Sequence, residues 1–116
     1  MMIYHSKNEK YITKENVLRV VNHFGVRHQA KKLNEECSEL LEAVVDYENG
    51  KYYMEEERAL QSYREHVVEE LADCVFVLEQ IASFYDVVPS ELYDKLGFKI
   101  NRTVKIVEDE ESKNGN

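Results

Sequence analysis

An acidic run, Glu69-Glu70-Leu71-Ala72-Asp73, interrupts a long pattern of apolar residues at helical spacing. At about 100° per residue, Glu70 and Asp73 fall on the same helix face as the apolar residues. That face also carries Tyr63, Val67, Cys74, Val77, Ile81 and Phe84. Burying a carboxylate without a partner is costly, and like charges three residues apart on a helix repel each other. We therefore expect a positive group or ion to compensate these two acids.

A second acidic run, Glu35-Glu36-Cys37-Ser38-Glu39, repeats the arrangement. Glu36 and Glu39 border an apolar stripe formed by Ala30, Leu33, Cys37, Leu40 and Val44. Two such helices packed face to face would bring four carboxylates together around a divalent cation. Ligation by oxygen alone favours Mg²⁺ or Mn²⁺ over zinc. The alternative is that each acid pair lies at a solvated edge or is neutralised by cationic side chains.

Composition restricts the class of protein. A chain of 116 residues with 43% hydrophobic and 33% charged residues predicts one globular domain. No apolar run approaches the roughly 18 residues of a membrane-spanning helix, and the first residues lack the apolar core of a signal peptide. These patterns predict a cytoplasmic protein without membrane contact. Cys37 and Cys74 lie in the two motif helices, where buried, reduced thiols are the expectation rather than a disulfide.

The net charge of −8 bears on the partners of the chain. No basic stripe is long enough to follow a nucleic-acid backbone, so binding to duplex nucleic acid is not expected. Acidity does not exclude a phosphate substrate, because bound Mg²⁺ inverts the local potential.

The pattern predicts only helices, since no segment alternates apolar and polar residues over a strand length. We expect a flexible N-terminal tail over residues 1–12, a helical domain over 13–108 and a disordered acidic tail over 109–116. The predicted fold class is all-α, with four principal helices in a bundle-like arrangement.

Local signals place the ends of these helices. Thr13 is the predicted cap of the first helix, and Gly25 its end. The second helix is predicted from about residue 27 to 48, where Asn49-Gly50 would stop it in a left-handed conformation.

The remaining segments are less regularly patterned. Residues 51–62 predict a loop with a short helix, and the third helix is expected from about residue 63 to 85. Pro89 then forces a break. The fourth helix is predicted from Ser90 and is expected to fray after Val107.

Basic residues on the fourth helix have the opposite sign from the acidic runs. Lys95, Lys99 and Arg102 form one stripe beside its apolar side. Their stems can cover the core while the charges reach solvent, or the charges can neutralise phosphate oxygens. Lys32, one turn before Glu36, leaves a similar choice between an ion pair with that acid and a phosphate contact.

Histidine offers no arrangement for a nucleophilic triad. Among the four histidines, His66 alone shares the stripe of Glu70, one turn earlier, and is within reach of the predicted site.

Taken together, these motifs resemble a known family. The segments are Gln29-x-x-Lys32-x-x-x-Glu36-x-x-Glu39-Leu40, then Glu69-Glu70-Leu71-Ala72-Asp73, then Phe98-Lys99-Ile100-Asn101-Arg102. They resemble the MazG-like nucleoside triphosphate pyrophosphohydrolases of the all-α NTP pyrophosphatase superfamily, over about residues 26–107. Residues 40–69 separate the two acidic motifs by more than the family pattern usually has, so we expect an extra element there.

The resemblance implies a MazG-type fold and a site. It implies that four acids bind Mg²⁺, with Mn²⁺ as a substitute, and that a nucleoside or deoxynucleoside triphosphate is cleaved between the α and β phosphates. The implied metal ligands are Glu36, Glu39, Glu70 and Asp73. The implied substrate contacts are Gln29, Lys32, Lys99, Asn101 and Arg102.

Further expectations concern mechanism, assembly and rival functions. Glu39 is the candidate general base, because its position at the edge of the stripe leaves it more hydrated than Glu70. Both motif helices carry more apolar surface than a lone protomer buries, which favours a homodimer or homotetramer. One rival function is a non-enzymatic helical regulator or adaptor whose acidic stripes face a basic partner. Another is a phosphoribosyl-ATP pyrophosphatase-like enzyme, although the histidine usual after the aspartate in that family is missing.

Overall fold

The computed structural model describes residues 7–114 of the chain. A short 3₁₀ turn at Glu9–Tyr11 precedes four α-helices. These are α1 (Lys14–Phe24), α2 (Val26–Tyr52), α3 (Glu57–Phe84) and α4 (Pro89–Asn114). Over the described range there is no strand, so the predicted all-α class is confirmed. The predicted N-terminal tail falls partly on residues 1–6 and the predicted acidic tail partly on residues 115–116, and both of these ranges lie outside the described residues.

The boundaries of α1 follow from its end residues as predicted. The Thr13 hydroxyl accepts a hydrogen bond of 3.1 Å from the backbone N–H of Asn16, which caps the helix. Gly25 ends it with a φ of +92°, a conformation that favours glycine. On this helix Val21 is completely buried.

The predicted stop at Asn49-Gly50 is wrong, because α2 continues to Tyr52. Gly50 is buried inside the helix, and a Cβ there would lie 2.9 Å from Oε2 of Glu55 and 3.0 Å from side-chain atoms of Leu60 and Tyr63. The glycine thus permits a close approach of the two helices rather than a left-handed turn. The chain reverses instead at Met54, which has a φ of 57°.

Residues 53–56 are the whole connection between α2 and α3. The predicted loop with a short helix over residues 51–62 is therefore wrong, and so is the extra element expected between the acidic motifs. The length is taken up by the end of α2 and by the early start of α3. Since so short a connection joins antiparallel neighbours, α2 and α3 form a helical hairpin.

The helices of the hairpin face each other along a stripe with alternating spacings of four and three residues. On α2 the least exposed positions of this stripe are Gln29, Leu33, Glu36, Leu40, Ala43, Tyr47 and Gly50. This is the repeat of helices that coil around each other, with a period of 3.5 residues. The predicted α2 stripe was displaced by one residue at three positions, because Ala30, Cys37 and Val44 are exposed. Glu36 consequently lies within the stripe and not beside it.

On α3 the prediction is confirmed for Glu70, Cys74 and Val77, which are all buried. Asp73 lies at the exposed edge of this stripe, and Phe84 is 41% exposed. Both cysteines are free, but the predicted burial of both thiols is wrong for the exposed Cys37.

Within the described residues, 7–85 form one compact unit and 86–114 form a second. The second unit contains α4, which begins at Pro89, and the backbone N–H of Val88 donates to Oε2 of Glu91. The helix continues to Asn114, so the predicted fraying after Val107 is wrong. The single helical domain over residues 13–108 stays a prediction.

None of the described helices is long and apolar enough to cross a membrane.

Candidate metal centre

Two acids from each helix of the hairpin meet between α2 and α3. Each of them offers a carboxylate oxygen, and these four oxygens all lie within 4.8 Å of one another. The residues are Glu36, Glu39, Glu70 and Asp73. The structure therefore brings together all four acids that the sequence singled out as metal ligands.

Burial distinguishes these acids. Glu70 is only 8% exposed and Glu36 is partly buried, whereas Glu39 and Asp73 are exposed. Oε2 of Glu36 and Oε2 of Glu70 are both buried without a hydrogen-bond partner. Because a buried carboxylate oxygen is normally paired, the inner part of the cluster is short of donors or of positive charge.

The pKa values of the two less exposed acids, Glu36 and Glu70 (the inner acids), reflect this shortage. Burial raises the pKa of Glu70, and the negative charges of Glu39 and then Asp73 raise it further. Burial also raises the pKa of Glu36, with further contributions from the charges of Glu39, Asp73 and Glu70. Protonation or a bound cation therefore relieves the repulsion within the cluster.

Each inner acid has a basic residue one turn earlier on its own helix. Nε2 of His66 lies 3.1 Å from Oε1 of Glu70, so this histidine reaches the site as predicted. The positive charge of Lys32 lowers the pKa of Glu36, against the effects of burial and the neighbouring acids. A phosphate contact of Lys32 stays a prediction.

Gln29 has its partners inside the hairpin. Its Nε2 donates a hydrogen bond of 2.8 Å to Oε1 of Gln80, and its Oε1 lies 2.8 Å from Nδ1 of His28. The amide thus links α2 to α3, and the predicted substrate contact of Gln29 stays a prediction. Sequence analysis missed Gln80, which is completely buried. The pattern that indicated Glu70 could also have indicated Gln80, because both are polar residues on the inward side of α3.

The remaining predicted substrate contacts lie on α4, in the second compact unit. Lys99, Asn101 and Arg102 are all exposed there. The backbone carbonyl of Lys99 accepts a hydrogen bond of 2.9 Å from the Thr103 hydroxyl. Contact of these three side chains with a triphosphate stays a prediction.

Searches of protein-family models, of curated proteins and of solved structures return no match to this chain.

Proposed function

We propose that this protein is a metal-dependent nucleoside triphosphate pyrophosphohydrolase. In this proposal Mg²⁺, or Mn²⁺ in its place, binds between Glu36, Glu39, Glu70 and Asp73. The products are a nucleoside monophosphate and pyrophosphate. The observation that carries the proposal is the group of four converging carboxylates, in which the buried Oε2 of Glu70 has no partner in the protein.

The donor set suits a hard divalent cation. All four groups are carboxylates, which Mg²⁺ and Mn²⁺ prefer, and no sulfur or imidazole nitrogen belongs to the cluster found among the described residues. A purely structural carboxylate as buried as Glu70 would be expected to accept a hydrogen bond at each oxygen. The unpartnered Oε2 therefore supports a ligand role over a packing role.

The four acids divide the work according to their exposure. When bound, the cation would neutralise phosphate charge and lower the pKa of a water molecule. Glu36 and Glu70, held by the packing of the hairpin, would fix the position of the site. Glu39 is exposed, and in this proposal it accepts the proton of the attacking water. Lys32, Lys99 and Arg102 are the proposed donors to the phosphate oxygens.

The resemblance of the motifs to MazG-like enzymes supports the choice of substrate class and the proposed MazG-type fold. The proposal extends to a homodimer or homotetramer, because large apolar side chains remain exposed. Leu41 is 64% exposed and Leu78 is 51% exposed. An apolar groove of about 600 Å³ also opens between α1 and α3, beside Leu71 and Phe76. A second copy that covers such surfaces would remove them from water.

The test is pyrophosphate release from a panel of nucleoside and deoxynucleoside triphosphates with Mg²⁺. Asp73→Asn should lower turnover by orders of magnitude. Glu69→Gln is the matched control, because it removes one negative charge from an exposed position beside Glu70, outside the cluster. Release from phosphoribosyl-ATP alone would favour that related activity. Absence of turnover with every nucleotide would favour the helical adaptor.

A further inference from the structure

The two oxygens of the Glu70 carboxylate have different surroundings. Oε1 lies 3.1 Å from Nε2 of His66, while Oε2 is buried and has no hydrogen-bond partner. A carboxylate that binds a cation is ionised and only accepts hydrogen bonds, so in the metal-bound state Nε2 of His66 is the donor in this contact. The histidine therefore occupies one oxygen of Glu70 and leaves the other available.

From this geometry we propose that His66 is a positioning residue, which orients Glu70 so that Oε2 faces a bound cation. The inference rests on the metal binding that belongs to the proposed function, since it assigns a role to His66 at the same site. The His66 side chain is 48% exposed and that of Glu70 is 11% exposed. His66 thus reaches from the rim of the site to a ligand that lies deeper.

A fixed ligand matters here because a glutamate side chain has several rotatable bonds. Without a contact at Oε1, the carboxylate can turn about its terminal bond into orientations in which neither oxygen faces the centre of the cluster. The hydrogen bond from His66 selects one of these orientations before the cation arrives. Contacts of this kind to metal ligands typically change metal affinity by about 10- to 100-fold.

The experiment measures Mn²⁺ binding by titration calorimetry in the wild type, His66→Ala and His66→Gln. We expect His66→Ala to weaken binding by about 10- to 100-fold. His66→Gln should restore most of the affinity, because its amide N–H can donate to the same oxygen from the same helical position. Arg64→Ala is the matched control, since it removes an exposed basic side chain from the same segment of α3. Its affinity should equal that of the wild type.

Circular dichroism of the metal-free variants shows whether they share the wild-type fold. Equal Mn²⁺ affinity of wild type and His66→Ala would overturn this inference alone and leave the proposed function standing. The same holds if His66→Gln binds as weakly as His66→Ala, because the hydrogen bond would then not be the cause. A wild type that does not bind Mn²⁺ would overturn the proposed function and this inference together. Metal binding without nucleotide turnover would overturn the function but not the positioning role.

Discussion

Gln29 on α2 and Gln80 on α3 form a buried amide pair, in which Nε2 of Gln29 donates a 2.8 Å hydrogen bond to Oε1 of Gln80. Gln80 is completely buried, and its own Nε2 has no partner. The hydrogen bond with Gln29 therefore offsets part of the cost of burying this amide between the two helices.

Replacement of one glutamine of this pair should lower the free energy of unfolding more than replacement of both. Gln29→Leu leaves both polar atoms of Gln80 unpaired, and we expect it to lower the free energy of unfolding by about 1–3 kcal/mol. Gln80→Leu in the Gln29→Leu background should recover most of this loss, because no buried amide then remains. Urea unfolding of the wild type, both single variants and the double variant measures the coupling. Simple additivity of the single effects would contradict the proposed role of the pair.

The close contact at Gly50 predicts that replacement of this glycine by alanine lowers the stability of the protein, opposite to the usual effect within a helix. Alanine normally stabilises a helix interior by about 1 kcal/mol relative to glycine. At Gly50 the new Cβ would lie 2.9–3.0 Å from three side-chain atoms, so Gly50→Ala should instead destabilise the protein by about 1–2 kcal/mol. Gly97→Ala is the control, because nothing lies within 4 Å of that position on α4. Thermal unfolding followed by circular dichroism should move in opposite directions for the two variants.

Gly50 also illustrates where sequence reasoning was sufficient and where it was not. Thr13 and Gly25 were placed correctly because a cap and a terminal glycine act on their immediate neighbours. Asn49-Gly50 was read by the same local rule, but packing against Leu60 and Tyr63 decided its conformation. Local preference is weaker than such long-range contacts.

The candidate site also contains some features that the sequence predicted correctly and others that it did not. The inward position of Glu70 follows from its helical spacing, and the structure agrees. On α2 the predicted and the observed stripe both repeat every 3.5 residues, and only the phase of the prediction was wrong. The prediction followed the apolar residues Ala30, Cys37 and Val44, whereas two of the three inward positions beside them are the polar residues Gln29 and Glu36. The contact between Gln29 and Gln80 spans 51 residues, so no spacing within one helix reveals it. The spacing placed His66 near the site, but the Glu70 oxygen that it contacts depends on side-chain conformations that spacing does not determine.

The clustered acids predict that the free energy of unfolding falls as the pH rises. This is opposite to the usual effect of carboxylates, whose pKa values are lowered by folding. Burial first, and then the charge of Glu39, raises the pKa of Glu36 and of Glu70 above the ordinary 4.5. Between 4.5 and the raised pKa values, the folded state binds more protons at these groups than the unfolded state. Their contribution to stability is therefore complete below pH 4.5 and is lost as the pH rises through the raised values.

The measurement is urea unfolding in EDTA at a series of pH values, for the wild type and Glu70→Gln. The wild type should lose more stability than the variant as the pH rises, because the variant lacks one of the two titrating groups. Parallel curves would contradict the assignment of a raised pKa to Glu70.

The basic stripe on α4, formed by Lys95, Lys99 and Arg102, is predicted to affect the kinetics with the triphosphate without affecting metal binding. Lys99→Glu or Arg102→Glu should raise KM or lower kcat for the triphosphate and leave Mn²⁺ affinity unchanged, since these side chains would contact phosphate rather than metal. Lys113→Glu makes the same charge change near the end of the same helix and should behave as the wild type. Steady-state kinetics and calorimetry on the same preparations measure both effects. Normal turnover of both Lys99→Glu and Arg102→Glu would mean that these residues do not contact the substrate and serve only in packing.

The central claim, that four carboxylates converge to hold a divalent cation, is tested most directly by the stability of Glu70→Gln with and without metal. In EDTA the variant should be more stable than the wild type, because it removes one charge from a mutually repelling group. In saturating Mg²⁺ the order should reverse, since binding stabilises the wild type by RT ln(1 + [L]/Kd) and the variant much less. Glu69→Gln, the control outside the cluster, should change little in either condition. A Glu70→Gln variant that is less stable than the wild type in EDTA, by a margin that Mg²⁺ does not alter, would contradict the account.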